Sequence, residues 1–224
     1  MVLGATGDSV SRDGPPFICA EGVLRTPIEE CGEGLVDLRE SNILTDPAHQ
    51  RVGHRGERQF HCRREVSRRL FYAQMSLPFG YQLLVLECHR PVELQAEYWE
   101  RELARLGERY PEWSEQRLRE VNARYIAPPD DTPPHSTGGA LDLTLVDSDG
   151  EELQMGHPVN DRGPGAHTKA RDIPPEARDN RQVLQGALRQ FGFVNYGYAW
   201  WHFSYGDRYW AYLNGEPAAH YGTV

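Results

Sequence analysis

Four side chains in this sequence have the types and spacing for metal-assisted chemistry: His135, Asp142, His202 and Arg90. The first two lie in the run Pro133-Pro134-His135-Ser136-Thr137-Gly138-Gly139-Ala140-Leu141-Asp142-Leu143-Thr144-Leu145. A proline-rich lead-in presents His135, and two glycines let the chain turn tightly enough to bring it back to Asp142. Asp142 falls inside an apolar run with strand character, where a carboxylate is costly unless it is paired or binds a metal. An imidazole and a carboxylate make two thirds of a catalytic zinc shell, which takes three protein ligands and keeps one position open. The third ligand is offered by His202, in Ala199-Trp200-Trp201-His202-Phe203, within the most aromatic part of the chain. From spacing alone, His202 reads equally as a hydrogen-bonded core histidine and Asp142 as a turn or N-cap residue. Two histidines and a carboxylate are also the ligand set of non-haem iron oxygenases, so Fe2+ is the alternative to Zn2+.

These blocks resemble the metal-ligand segments of the D-alanyl-D-alanine dipeptidase family, zinc metallopeptidases that include the vancomycin-resistance dipeptidases. The matching residues are His135, Gly138, Gly139, Ala140 and Asp142 in one block and Trp200, Trp201 and His202 in the other. Leu83-Leu84-Val85-Leu86-Glu87-Cys88-His89-Arg90-Pro91 resembles the family strand that ends in its active-site arginine. Leu35 to Arg39, Met155-Gly156 and Asn180-Arg181 match further, so the similarity spans about residues 31–212. It implies zinc held by His135, Asp142 and His202, with Arg90 stabilising the oxyanion. An ion pair between Arg90 and Glu87 or another acid is the structural alternative. Substrate contacts are expected at Asn160, Tyr198, Trp200 and Trp201.

The resemblance breaks at one place. The family carries a general-base Glu three residues before the last His, and here that position is Ala199. Proton transfer by a placed side chain is worth roughly 10²–10⁴ in rate. Either the residue was exchanged to trap a substrate, or the site has diverged. The neighbours favour divergence: Gly197-Tyr198 precedes Ala199, and Asn160 takes the place of the acid that holds the substrate amine in the family. Tyr198, His89, His157 and His167 are the candidate replacement acid/base groups. Three functions follow. The first is a zinc dipeptidase-like enzyme acting on a D-Ala-D-Ala-like dipeptide or another small amide. The second is a diverged member in specialised metabolism, using the metal for cyclisation, elimination, condensation or iron-dependent oxidation. The third is an inactive peptide-binding homologue.

The elements that must position these groups are legible in the periodicity. Val66, Leu70, Ala73 and Leu77 recur at helical spacing, with Pro78 as the stop. Residues 81–88 form a continuous apolar run, a buried strand that ends at Arg90. Helices are predicted over 92–106, 112–125 and 174–191, and short extended pieces over 17–19 and 35–38. The strand carrying Asp142 is expected to turn at Asp147-Ser148-Asp149-Gly150 and return over 151–155. Residues 156–174 read as a long loop, and 193–196 and 200–205 as the last two strands. The class is α+β: one domain over 17–224, an antiparallel sheet carrying the metal site with helices on its other side, preceded by a flexible leader over 1–16.

Bulk properties exclude other classes. A net charge of -9 opposes nucleic-acid binding, which needs a basic face. The arginine-rich stretch 51–69 reads as a solvated helix face. Hydrophobic residues make up 39% and no apolar run reaches the roughly 20 residues of a membrane span, so no membrane partner is expected. Cys19, Cys31, Cys62 and Cys88 are widely spaced, which fits reduced thiols in a cytoplasm.

Overall fold

The computed structural model describes residues 14–46 and 59–224. In chain order, α1 (Glu21–Leu24), β1 (Leu35–Asp37) and β2 (Leu44–Thr45) are followed by β3 (His61–Arg63), α2 (Arg64–Met75) and β4 (Gln82–Glu87). Then come α3 (Val92–Arg109), α4 (Glu115–Asn122), β5 (Ala140–Val146), α5 (Pro175–Gln190), β6 (Val194–Asn195), β7 (His202–Ser204) and α6 (Arg208–Asn214). The main sheet has the order β2-β4-β5-β7-β6, and β1 pairs with β3 in a separate two-stranded sheet.

Strand β5 is the axis of the fold. All seven of its residues are buried, and their alternation sends Leu141, Leu143 and Leu145 to one face and Asp142 to the other. The leucines belong to a core that includes Val66 and Leu70 of α2 and Leu184 and Leu188 of α5. The helices expected at 174–191 and around Val66 therefore form and cover the face opposite the site. Three prolines set two helix starts, with Pro91 before α3, Pro174 before α5 and Pro175 in the first turn of α5, where a missing N–H costs nothing.

Several local expectations are corrected. The return strand over 151–155 does not form. Val146 makes one isolated bridge to Glu152, and the Asp147 carboxylate accepts from the Asp149 and Glu151 amides instead. The sheet is antiparallel except for its β2 edge, which runs parallel to β4. Residues 17–19 turn rather than extend, with the Ala20 amide donating to the Phe17 carbonyl. Of the arginine-rich stretch, residues 51–58 lie outside the described residues. Arg68 and Arg69 pair with Glu65 at the surface of α2, but Arg63 is buried. It donates to the carbonyls of Thr137, Glu33 and Gly222 and pairs with Glu30, so it braces the metal loop rather than facing solvent. The leader expected over 1–16 lies outside the described residues as far as position 13. No helix among the described residues is long and apolar enough to cross a membrane.

Candidate metal centre and its cavity

Sheet register places the site. Asp142 on β5 lies directly opposite His202 on β7 and opposite Glu87 at the end of β4, where the register shifts between Val85 and Glu87. Such a bulge re-aims the side chains beyond it. His135 arrives from the loop before β5, in a 3-10 turn over Pro134–Thr137 that Gly138 closes in the left-handed conformation, φ 71°. The next glycine is required for a different reason, because a Cβ on Gly139 would stand 2.4 Å from the Tyr205 carbonyl oxygen.

The three predicted ligands converge and are all buried. His202 Nδ1 is 2.9 Å from Asp142 Oδ1 and 3.2 Å from His135 Nε2, and His135 Nε2 is 3.4 Å from Asp142 Oδ1. Donors on a tetrahedral ion at about 2.0–2.1 Å lie roughly 3.3 Å from each other, so the triangle fits such an ion. The His135 imidazole is also oriented for it. His135 holds Nδ1 2.7 Å from the Cys88 carbonyl, which leaves Nε2 free of its proton and turned to the cluster. Burial alone would raise the Asp142 carboxyl, but His135 and His202 outweigh it and hold the group well below the ordinary carboxylate range. Burial alone would lower His135, and the Asp142 charge more than reverses this.

Arg90 reaches the same cavity, of about 220 Å³, which is also lined by His135, His202 and Ala199. The ion pair with Glu87 forms while the arginine still lines the cavity. Its Nε and Nη2 donate to Glu87 at 2.8 and 2.5 Å and Nη1 donates to Gln95 Oε1 at 2.8 Å. The guanidinium also lies over the Tyr98 ring, 4.8 Å from its centroid. Gln95 is in turn fixed by the Ala127 carbonyl. A guanidinium has five N–H donors, so two remain for a ligand.

The other expected residues separate. Asn160, Tyr198, Ala199 and Trp201 line the cavity. Trp200 does not: consecutive side chains diverge where the chain enters β7, and Trp200 is buried with Nε1 donating to the His157 carbonyl and Arg181 over its ring. Of the candidate acid/base groups only Tyr198 is on the wall, and its hydroxyl donates to the Pro15 carbonyl. His89 Nε2 meets the Val224 carbonyl, His157 pairs with Asp161, and His167 packs edge-on to Tyr198. Sequence reasoning missed Gln95 and Tyr98 as site residues; they sit four and seven residues after Pro91, on α3. It also missed Ile18, brought to the wall from 184 residues before His202.

The family described as D-ala-D-ala dipeptidase matches residues 46–217 of the chain. A D-alanyl-D-alanine dipeptidase of Synechocystis sp. is 27% identical over 237 aligned positions, covering 90% of this chain and 96% of that protein. One from Escherichia coli is 29% identical over 62% of this chain and 61% of its own length. Among solved structures, a vancomycin resistance D,D-pentapeptidase in complex with Zn(II) is 16% identical, with 88% of this chain and 96% of that chain covered and a TM-score of 0.46.

Proposed function

The chain belongs to the D-ala-D-ala dipeptidase family, and from that premise we propose a zinc-dependent, dipeptidase-like enzyme for a small D-Ala-D-Ala-like dipeptide or related amide. One observation carries the reading: three buried donors, His135 Nε2, Asp142 Oδ1 and His202 Nδ1, form a triangle of tetrahedral size beside a cavity. When bound, zinc supplies Lewis acidity at the scissile carbonyl and a water acidified to a pKa of about 7.

The chain's own residues divide the remaining work. The Cys88 carbonyl orients the His135 imidazole, and the β5–β7 register holds His202 opposite Asp142. Arg90 directs its two remaining N–H donors at the developing oxyanion or a substrate carboxylate, and Glu87 and Gln95 lock the fork. Asn160 offers an amide where a carboxylate would hold a free ammonium. At Ala199 a methyl group lines the cavity and moves no proton. The Tyr198 hydroxyl is held by Pro15, and burial raises its pKa, so it is no base at neutral pH. The rebuilt wall at Gly197-Tyr198-Ala199 favours a second reading, a diverged member in which the metal, zinc or ferrous iron, serves non-hydrolytic chemistry. The four cysteines, all unpaired in the structure, support a reducing, cytoplasmic setting.

Metal analysis is the first test: the native protein should carry one zinc and Asp142→Ala close to none, and equal content would sink the ligand assignment. D-Ala-D-Ala hydrolysis then separates the two readings. Restoration by Ala199→Glu alone, by about 10²-fold or more, would make this a dipeptidase lacking one carboxylate. Little gain in that variant, and a larger one when Asn160→Asp is added, would establish divergence.

A further inference from the structure

The cavity over the metal cluster has both charged and apolar lining. Arg90, Glu102, Asp161 and Arg162 contribute charged groups to it. Part of its wall is made by Ile18, Tyr196, Tyr198, Ala199 and Trp201. Two of these five carry hydroxyls, and both hydroxyls are satisfied away from the cavity. Tyr196 Oη donates to the Arg124 carbonyl at 2.6 Å, and Tyr198 Oη donates to the Pro15 carbonyl at 3.1 Å. The two phenols therefore present ring carbon, not oxygen, to a ligand.

This wall is built by several independent contacts. Phe17 stacks on Tyr198 with ring centroids 4.3 Å apart at 19°, and the Arg124 guanidinium lies over the other side of that stack, 5.1 Å from the Phe17 centroid. Gly197 makes room for the strap: a Cβ there would come within 2.1 Å of Pro15 Cγ. Tyr196 packs against both Tyr198 and Tyr209. The segment Pro15–Ile18 is thus seated on the loop 196–199, and its seating carries Ile18 to the cavity beside the small Ala199.

We propose that Ile18, Tyr196, Tyr198, Ala199 and Trp201 form an apolar subsite that receives a branched aliphatic or aromatic side chain of the substrate, next to the metal cluster. The inference rests on the dipeptide-like reading above and narrows it, since D-Ala-D-Ala offers only methyl groups to a wall of this size. Ala199 then has a positive role: its methyl leaves the volume that the substrate side chain fills, and water displaced from hydrocarbon surface supplies the affinity.

Calorimetric binding to the zinc-loaded protein tests this without requiring turnover. D-Ala-D-Ala, D-Leu-D-Ala and D-Ala-D-Leu are titrated separately. One leucine-containing dipeptide is expected to bind about ten- to thirtyfold more tightly than D-Ala-D-Ala, as burial of its extra carbon atoms predicts. Ala199→Leu, which fills the subsite, should abolish that preference, and Ile18→Asn should reduce it several-fold. Thermal melts establish that each variant is folded, and Ala199→Leu keeps the test intact if the Ile18 variant is not. Measurable binding of D-Ala-D-Ala with no gain for either leucine dipeptide would overturn the subsite and leave the dipeptide reading standing. A preference that survives Ala199→Leu would do the same. Failure of all three dipeptides to bind would overturn both.

Discussion

The pair Glu87–Arg90 offers the sharpest test of how the cavity is held together. The Glu87 side chain is fully buried and Arg90 is 11% exposed, so neither charge can be left to water. Burial by itself would lower the Arg90 pKa, and the Glu87 and Asp142 carboxylates reverse that. Removing one partner from such a pair leaves an uncompensated charge and costs about 3–5 kcal/mol. Glu87→Gln keeps the shape and deletes the charge. Because a 1 kcal/mol change moves the midpoint of a domain of this size by about 2–4 °C, the melting temperature should fall by roughly 6–20 °C. Arg90→Met should cost a similar amount, since it strands the Glu87 carboxylate. The double variant Glu87→Gln/Arg90→Met removes both charges, and replacing a buried pair by uncharged groups is often close to neutral. It should therefore be more stable than either single change, with a coupling of at least about 2 kcal/mol in the cycle. Urea melts of the four proteins at fixed zinc provide the numbers. Additive single effects would refute the pairing. A Glu87→Gln protein of native stability would refute the claim that Arg90 is held in a dry wall.

Two other outcomes follow from positions that brace the site. Glu30 reaches buried Arg63 and the amides of Gly32 and Gly222, and although burial works to raise its carboxyl, these donors hold it below the ordinary range. A depressed folded-state pKa gives stability that is present above the unfolded value, about 4.3, and is lost as pH falls through the lowered one. Glu30→Gln should thus flatten the acid limb of the thermal-stability profile and leave its shape above about pH 6 alone; an unchanged acid limb would count against the brace. Gly139→Ala forces a methyl to within 2.4 Å of the Tyr205 carbonyl, so β5 and β7 must separate where they carry Asp142 and His202. Overpacking of this kind costs about 1–3 kcal/mol, and zinc affinity should fall with it; native zinc affinity would show that the close approach is not needed.

The metal centre was legible in the sequence because its determinants are local. Proline before His135, the glycine pair and the period-2 strand around Asp142 each act within a few residues, and the resemblance joined that block to His202. Helices α2, α3 and α5 were legible from their apolar faces, with prolines at the starts of α3 and α5 and after the end of α2. What was illegible depended on pairing at a distance. Arg63 reads as one of several surface arginines until Glu30, Thr137 and Gly222 surround it. Trp200 and Trp201 are chemically alike, and only the path into β7 sends one to the core and the other to the cavity. The strand expected over 151–155 had the right turn before it but keeps only a short contact with the end of β5, through the Val146–Glu152 bridge and the Leu153 amide on the Leu145 carbonyl. Helix α6 did carry a signal, an Asp207 cap and a Gly215 stop, which the weight given to the aromatic strand concealed.

The site also separates into two parts with different structural dependence. Glu87, Asp142 and His202 stand in one line across β4, β5 and β7, because they are register partners. Moving any of them means slipping a strand, and a slip of one residue reverses every side chain on it. The leucines of β5 would then leave the core, so the hydrophobic packing of the sheet guards the metal ligands. Residues 197–199 have no such protection. They lie outside β6 and β7 and are held by Pro15 and Phe17 and by turn hydrogen bonds in which the Gly197 carbonyl accepts from Thr168 and the Ala199 carbonyl from His202. A change of side chain at position 199 leaves the β5–β7 pairing in place, because this position contacts His202 through its backbone carbonyl. A chain of this fold can therefore change its proton chemistry and the shape of its cavity while the sheet continues to enforce a two-histidine, one-carboxylate centre. The His135, Asp142 and His202 cluster thus rests on strand register and core packing, whereas the part of the cavity at Ile18, Tyr198 and Ala199 rests on loop contacts that can change without moving a strand.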